Sequence, residues 1–326
     1  MLPRLSKLLS AAAFAASFVA SAATTAAAEP ALWQIKNGES TVYLFGSIHM
    51  LPSDIAWRTG MVDTAIKSAD VFVWEAPLSL SSIDKGNRFI MDNGILPRGK
   101  TLSRMLSPEG LKDYKEVLKK TGADPELVNV SHPWRAWFML ETGGMRVASG
   151  EDDDRDISVF NGVDLLLQQE ADKNKSPKRY LETAAGQLAF FQESLPDDHV
   201  GDFERHLHKL LTGKLQIRSL MTEWSRGNVA AIAKQNADDE MEFPLEQHTI
   251  LGKRNQSWIP QIDKMLTEKK TIFITVGAAH LAGKGSVIEL LCGEGWKVQR
   301  VNGADPGSAC PAGKAAMPAL KVSLKP

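Results

Sequence analysis

Two histidines occur in the same short context at distant points of the chain. One ends Gly46-Ser47-Ile48-His49 after the apolar run 43–45, and the other ends Gly277-Ala278-Ala279-His280 after the apolar run 274–276. Glycine lets the backbone turn sharply where a side chain would clash, so each histidine is predicted to lie over the end of a buried strand. The carboxyl edge of the strands is where open α/β sheets bind ligands. The pattern therefore predicts two imidazoles at one candidate site.

Two carboxylates follow further apolar runs. Glu75 comes directly after 71–74, and Glu182 comes directly after 179–181. If these runs are neighbouring strands of one sheet, both carboxylates join the two histidines at its edge. The alternative for Glu75 is a salt bridge to an arginine or lysine, because an unpaired buried carboxylate is costly.

These four side chains suit the chemistry of a catalytic divalent metal. Two imidazoles and one carboxylate, here His49, His280 and Glu75, can hold the ion and leave positions open for water and substrate. Such a metal lowers the pKa of bound water and polarises a carbonyl group. With Glu182 or Glu75 as general base, the pattern indicates hydrolysis of a peptide or an ester near neutral pH.

Short apolar runs alternate with helical patterns along the chain. The predicted strands are 41–45, 71–74, 179–181, 271–276 and 296–301. The predicted helices are 61–69, 108–121, 133–145, 159–173, 184–194, 203–212, 216–234, 255–268 and 285–293. This alternation predicts an α/β fold with a mostly parallel central sheet flanked by many helices. The polar stretches 79–100 and 149–156 are predicted loops.

The two ends of the chain differ from its middle. Arg4 and Lys7 precede the apolar stretch 8–20 and small residues up to Ala28, an order typical of a secretory signal peptide. An uncleaved membrane anchor is the alternative, but much of the stretch is alanine and serine. We predict a signal peptide at 1–28, an α/β domain at 29–310 and a disordered tail at 311–326.

Charge limits the expected partners. Without Arg4 and Lys7, the chain has a net charge of about −3. This balance does not attract nucleic acid or an anionic membrane. We therefore expect no nucleic-acid partner, no stable membrane association after signal removal, and a location in the periplasm or outside the cell.

Cys292 and Cys310 are the two cysteines of the sequence, and the turn-rich stretch 303–307 separates them. In an oxidising compartment they are predicted to form one disulfide that fastens the C-terminal segment, worth on the order of 3 kcal/mol. Two free thiols are the alternative.

Taken together, these motifs resemble the TraB/GumN family, which includes the Tiki proteases. The likeness covers 33–301, and both Gly-x-x-His motifs and the strand-end Glu75 are similar to those of the family. Weaker similarities are Asn161-Gly162-Val163-Asp164, Leu181-Glu182-Thr183 with Gln187, and Arg254-Asn255.

The resemblance implies a fold akin to the erythromycin esterases and the haem-binding ChaN-like proteins, together with metal-dependent peptidase activity. It implies manganese or cobalt at His49, Glu75 and His280, with zinc as a further candidate. It also implies that Arg254 binds a carbonyl oxygen or a carboxylate. A peptide or another small carbonyl compound is the expected substrate.

Two other functions stay open at this point. The same residues could hold haem or a metal in a non-catalytic binding protein. They could also form a metal-free esterase in which His49 is the base for attack by water.

Overall fold

The computed structural model describes residues 29–77, 80–148, 157–212, 217–302 and 307–310. The predicted signal peptide at 1–28, the predicted acidic loop at 149–156 and the predicted tail at 311–326 lie outside these residues.

The centre of the fold is a seven-stranded sheet with the order β4-β3-β5-β2-β1-β6-β7. Its strands are β1 (Leu32–Asn37), β2 (Ser40–Ser47), β3 (Val71–Trp74), β4 (Lys178–Tyr180), β5 (Thr271–Gly277), β6 (Gln299–Arg300) and β7 (Gly307–Ser308). The pairs β4–β3, β3–β5 and β5–β2 are parallel. The pairs β2–β1, β1–β6 and β6–β7 are antiparallel.

The prediction of a mostly parallel sheet is therefore wrong in one respect, since the sheet is mixed. The antiparallel part begins at β1, which the sequence analysis did not predict. Only the first four residues of β1 are buried or partly buried, so its apolar pattern is short. Gly38, with φ of 56°, makes the tight turn that folds β1 back onto β2.

Helices connect and cover the strands. They are α1 (Gly60–Ser68), α2 (Leu80–Asn93), α3 (Pro108–Thr121), α4 (Pro125–Asn129), α5 (Pro133–Ala148), α6 (Val163–Lys173), α7 (Ala184–Ser194), α8 (Val200–Leu211), α9 (Ile217–Ser225), α10 (Val229–Glu242), α11 (Pro244–Gln247), α12 (Arg254–Met265) and α13 (Val287–Gly293). A π-helical segment, His248–Lys253, joins α11 to α12.

Both faces of the sheet are buried. On one face, Val73 and Ile274 pack with Trp258 of α12 and Leu291 of α13. On the other face, aromatic side chains of the strands pack against α1, α6, α9 and α10. A third core lies between α3, α5 and α8, where Leu140 and Phe203 are fully buried. The parallel half of the sheet is thus held from both sides, as β-strands rich in apolar residues require.

Several predicted elements differ from the observed ones, and two of these differences concern α2 and the α9–α10 region. The predicted loop 79–100 is wrong, because it contains helix α2, whose Phe89 and Ile90 pack against the third core. The predicted helix 216–234 is two helices, α9 and α10, separated at Gly227. Gly227 has φ of 68°, and a Cβ there would lie 2.4 Å from the Glu29 carbonyl oxygen. The chain turns at this glycine and cannot continue as one helix.

The predicted disulfide between Cys292 and Cys310 is present, and it fastens the chain after β7 to the end of α13. Among the residues that the structure describes, no helix is long and apolar enough to cross a lipid bilayer.

Candidate active site

The ends of the parallel strands meet at one edge of the sheet. Ser47 at the end of β2 pairs with Gly277 at the end of β5, and Trp74 at the end of β3 pairs with Thr275 of β5. The pairing continues one step beyond β3 and β4, because the Glu182 N–H donates to the Glu75 carbonyl oxygen at 2.7 Å. The residues that follow these strands are therefore brought to the same edge, as the sequence analysis predicted.

Glu75 is a buried carboxylate with hydrogen-bond donors on both oxygens. Its Oε1 accepts from the Gly277 backbone N–H at 2.6 Å, and its Oε2 accepts from Gln187 Nε2 at 2.9 Å and from Arg254 Nη2 at 2.5 Å. His280 Nε2 lies 3.7 Å from Oε1. Glu75 therefore makes the salt bridge that the sequence analysis left open as an alternative.

His280 is held in one orientation by Asn255. The Asn255 amide N–H donates to the Gly285 carbonyl at 2.8 Å, so its oxygen is the acceptor that faces His280 Nδ1 at 2.6 Å. The proton of the neutral imidazole therefore lies on Nδ1, and the Nε2 lone pair faces Glu75 and Arg254 Nη1, which is 3.2 Å away.

Charge and burial set the protonation states of Glu75 and His280. Burial alone would raise the pKa of Glu75, but His280, Arg254 and His49 together outweigh it and lower that pKa to about 2. Burial lowers the pKa of His280 to about 3. The positive charge of Arg254 also lowers this pKa, whereas the negative charge of Glu75 raises it. At neutral pH, Glu75 is ionised and His280 is neutral.

Arg254 lies at the start of α12 and is 3% exposed. Its guanidinium bridges two carboxylates, with Nη2 on Glu75 and Nε donating to Glu182 Oε1 at 2.9 Å. The indole N–H of Trp258 donates to the same Glu182 oxygen at 2.9 Å, and the guanidinium carbon lies 5.1 Å from the Trp258 ring centre. The preceding π-helical segment ends at Lys253, and such segments are frequent at functional sites.

Glu182 lies behind Arg254 with only 5% of its side chain exposed. Its second oxygen, Oε2, is buried and has no hydrogen-bond partner among the described residues. Burial raises the pKa of Glu182, whereas Arg254 lowers it, and burial prevails. In this arrangement the carboxyl group holds Arg254 in place, and its role as a general base stays a prediction.

His49 reaches the same edge from β2, and two-thirds of its side chain is exposed to solvent. Its Nδ1 faces Asp164 Oδ2 at 2.7 Å, and the Ser47 hydroxyl donates to the other oxygen of Asp164 at 2.9 Å. The negative charge of Asp164 raises the pKa of His49 to about 9. The charges of Glu75 and Arg254 also act on His49, so the three groups share one electrostatic environment.

Gly162 brings Asp164 to His49. A Cβ on Gly162 would lie 2.0 Å from the His49 carbonyl oxygen, so only glycine allows the chain before α6 to come this close. The Val163 N–H then donates to the Ile48 carbonyl at 3.1 Å. The predicted helix 159–173 is interrupted at this point, and α6 begins at Val163.

The five predicted site residues do not all contact one another. Glu75, His280, Arg254 and Glu182 form one contact network, whereas His49 is tied to Asp164 beside it. The donor types suit a divalent metal, and both histidines already have Nδ1 held by an oxygen, as ligating histidines usually do. Within the described ranges, however, no three His, Cys, Asp or Glu side chains are grouped so that they could hold an ion. The cation beside Glu75 and His280 is the guanidinium of Arg254.

Four further residues complete the site. Asp164, Asn255 and Gln187 were noted in the sequence only as weak similarities to a family, and Trp258 was not singled out. Each acts by holding one of the predicted residues, at separations of 115, 25, 112 and 76 positions along the chain. For Asn255, its position next to Arg254 was the one local signal.

The fold and the site define an α/β protein with a histidine–carboxylate–arginine centre at the carboxyl edge of its sheet. Comparison with known proteins gives the particular family. The chain belongs to the TraB/PrgY/gumN family, whose model matches residues 31–300.

Relatives include the "Uncharacterized protein YbaP" of Escherichia coli (strain K12) and that of Shigella flexneri. Each is 24% identical over 78% of this chain and 89% of its own length. The "Metalloprotease TIKI1" of Danio rerio is 24% identical over 84% of this chain and 64% of its own length. No solved structure matches the chain, so the likeness to erythromycin esterases and ChaN-like proteins stays a prediction.

Replacing Gly162 with alanine should disturb the His49 side of the site. The added Cβ would overlap the His49 carbonyl oxygen, and we expect unfolding in urea to show a loss of about 2 kcal/mol or more. Gly60→Ala is the matched control, because no atom lies within 4 Å of the Cβ position at Gly60. Equal stability of the two variants would contradict the close approach of Gly162 to His49.

Replacing Asp164 with asparagine should lower the pKa of His49 from about 9 towards its ordinary value of 6.5. A raised folded-state pKa stabilises the fold below pH 6.5, and this contribution is lost as the pH rises through 9. The wild type should therefore exceed Asp164→Asn in stability most near pH 6, and the difference should shrink above pH 9. Because His49 is largely exposed, salt should weaken the effect.

The pKa of His49 is measured by NMR titration of its imidazole. Asp197→Asn, which alters the contact between His132 and Asp197, is the control and should leave the titration of His49 unchanged. An unchanged pKa of His49 in Asp164→Asn would contradict the pairing.

Proposed function

We propose that this protein is an exported hydrolase that cleaves peptides or related carbonyl compounds at the edge of its sheet. A divalent metal, manganese or cobalt with zinc as a further candidate, would be held by His49, Glu75 and His280. One observation carries the proposal. Both imidazoles have Nδ1 held by a side-chain oxygen, Asp164 for His49 and Asn255 for His280, which leaves Nε2 of each for chemistry.

The charges around the centre support this assignment. Glu75 is ionised and His280 is neutral, which are the forms that bind a metal, whereas His49, with its pKa raised to about 9, would have to release a proton on binding. When bound, the metal would lower the pKa of a water molecule and polarise the substrate carbonyl.

Arg254 provides donors for the substrate. It is buried and permanently charged, and its Nη1 and Nη2 lie beside His280 and Glu75. A guanidinium in this position can donate to a carbonyl oxygen and stabilise the negative charge that develops there during hydrolysis. Its contacts with Glu75 and Glu182 are made before substrate arrives, so little reorganisation is needed.

Two carboxyl groups are candidates for the general base. Glu75 borders the imidazole of His280, but its low pKa makes it a weak base. Glu182 has a raised pKa, which makes it a stronger base than Glu75, but it lies behind Arg254. We therefore assign proton transfer to Glu182 or Glu75, with Arg254 as the electrophilic group.

Other features agree with export and hydrolysis. One relative is named a metalloprotease, and the Cys292–Cys310 disulfide is compatible with an oxidising compartment. The signal-like order of residues 1–28 supports periplasmic or secreted location.

A metal-free hydrolase is the second candidate, and the position of Arg254 favours it. Its guanidinium already supplies a positive charge in contact with Glu75 and His280. A metal bound to the same two groups would compete with this cation. In the metal-free route, His49 would serve as the base, with Asp164 holding its Nδ1, and because its pKa is raised to about 9 this route would be faster above neutral pH.

The test begins with metal content and hydrolysis of a quenched fluorescent peptide library, with added manganese or cobalt. We expect His49→Ala and His280→Ala each to lose the metal measured by elemental analysis, and each to lose hydrolysis by about a hundredfold or more. His208→Ala is the matched control, because His208 is an exposed histidine that contacts Asp113 away from the site.

Four outcomes separate the candidates. Loss of activity on chelation, restored by manganese or cobalt, supports the metal-dependent enzyme. Activity that survives chelation supports the metal-free route. Unchanged metal content in both histidine variants contradicts the proposed ligands, and a haem absorption band without hydrolysis of any peptide or ester contradicts the hydrolase.

A further inference from the structure

The two Gly-x-x-His motifs pack against each other at the edge of the sheet. A Cβ on Gly46 would lie 2.9 Å from the Cα atom of Ala278, so the backbones of the two motifs are in contact. His49 follows Gly46 by three residues, and His280 follows Ala278 by two. Because the contact is close, a displacement of one motif against the other would change the separation of the two imidazoles.

Trp224, near the end of α9, holds the first motif. Its indole Nε1 donates to the Gly46 carbonyl oxygen at 2.9 Å, and Trp224 is 2% exposed. Strand β1 begins at Leu32, which pairs with Phe45, so the pairing of β1 with β2 stops one residue short of Gly46. The indole therefore supplies a donor to the first motif at the point where the neighbouring strand has ended.

Asn236 of α10 holds the second motif. Its Nδ2 donates to the Ala279 carbonyl at 2.9 Å and to the Ala282 carbonyl at 3.0 Å, and these residues lie on either side of His280 in the chain. One turn earlier in α10, Ala233 packs against Gly283, where a Cβ would lie 3.2 Å from the Ala233 Cβ atom. The turn that carries His280 is thus seated on α10.

Helices α9 and α10 are joined closely, so that their two donors belong to one unit. The Gly227 N–H donates to the Trp224 carbonyl at 2.8 Å, and the Asn228 side chain then caps α10. Trp224 and Ile232 pack in the same core as Ala278, on one face of the sheet. The helix pair therefore contacts both motifs from the same face.

We propose that Trp224 and Asn236 are positioning residues that together fix the separation of the His49 and His280 imidazoles. Other side chains orient the two rings, whereas α9 and α10 hold the backbone that carries them. The consequence for hydrolysis rests on the proposed function, but the positions of the imidazoles can be measured without metal or substrate.

The experiment records the imidazole carbon and nitrogen NMR signals of the full chain at pH 7 without metal. Trp224→Phe keeps an aromatic ring in the core and removes the indole donor, so the larger shift should occur at His49. Asn236→Asp keeps the size of the side chain and places a carboxylate against two carbonyl oxygens, so the larger shift should occur at His280.

Two matched variants control for changes that do not touch the motifs. Trp296→Phe removes an indole that donates to Asp263 at 2.7 Å. Asn37→Asp removes an amide that donates to the Leu266 carbonyl at 2.9 Å, at the opposite edge of the sheet. Both controls should leave the imidazole signals of the two motif histidines unchanged.

Peptide hydrolysis with added manganese or cobalt gives a second readout. Misplaced catalytic groups slow the chemical step, so each motif variant should lower kcat by about tenfold or more with little change in KM. A wild type that hydrolyses no peptide would contradict the proposed function, and the NMR signals would still decide whether the helix pair positions the histidines.

A measurement on the wild type remains decisive if the variants do not fold. The indole proton of Trp224 should exchange with deuterium more slowly than that of Trp296, which is only partly buried. Equally fast exchange would overturn the proposal. Folded motif variants that leave both histidines at their wild-type signals, or that shift them no more than the controls do, would also overturn it.

Discussion

The burial of Arg254 between Glu75 and Glu182 is the interaction on which the rest of the site depends. A buried ion pair offsets its loss of hydration only when its geometry is good and its other polar atoms are satisfied. Glu75 meets this condition through Gly277 and Gln187, and Glu182 meets it partly through Trp258. Loss of one partner would leave an uncompensated charge in the core.

This requirement connects distant parts of the chain. Glu75 follows β3, Glu182 follows β4, and Arg254 begins α12, so the ion pairs hold two strands and a helix in one arrangement. His280 is then fixed by its contact with Asn255, the next residue of α12. The same helix therefore positions the arginine and one of the two histidines, and a shift of α12 would move both.

Much of the site was predictable because it follows from local patterns. Apolar runs ending in Gly-x-x-His or in glutamate place His49, His280, Glu75 and Glu182 at strand ends, and the edge of a parallel sheet brings such ends together. The parallel register of β2 with β5 places Ser47 beside Gly277, so these two strand ends do meet. Helices α3 and α7 also have the predicted bounds, and the side chains of Ser107 and Thr183 cap their N-termini.

The remainder depends on contacts that no local pattern encodes. Asp164 lies 115 positions from the histidine that it holds, and Gln187 lies 112 positions from Glu75. Helix α2 was missed because its polar composition hides an apolar face that becomes evident only against the third core. Strand β1 was missed because its pairing with β2, and not its own sequence, makes it a strand.

The carboxyl edge of the sheet presents a neutral His280 whose Nε2 lone pair faces the ionised Glu75 and Arg254. The most direct test is a long-range proton–nitrogen NMR spectrum of the imidazole side chains at pH 7. We predict that His280 carries its proton on Nδ1 and none on Nε2. A doubly protonated His280, or a proton on Nε2, would contradict it.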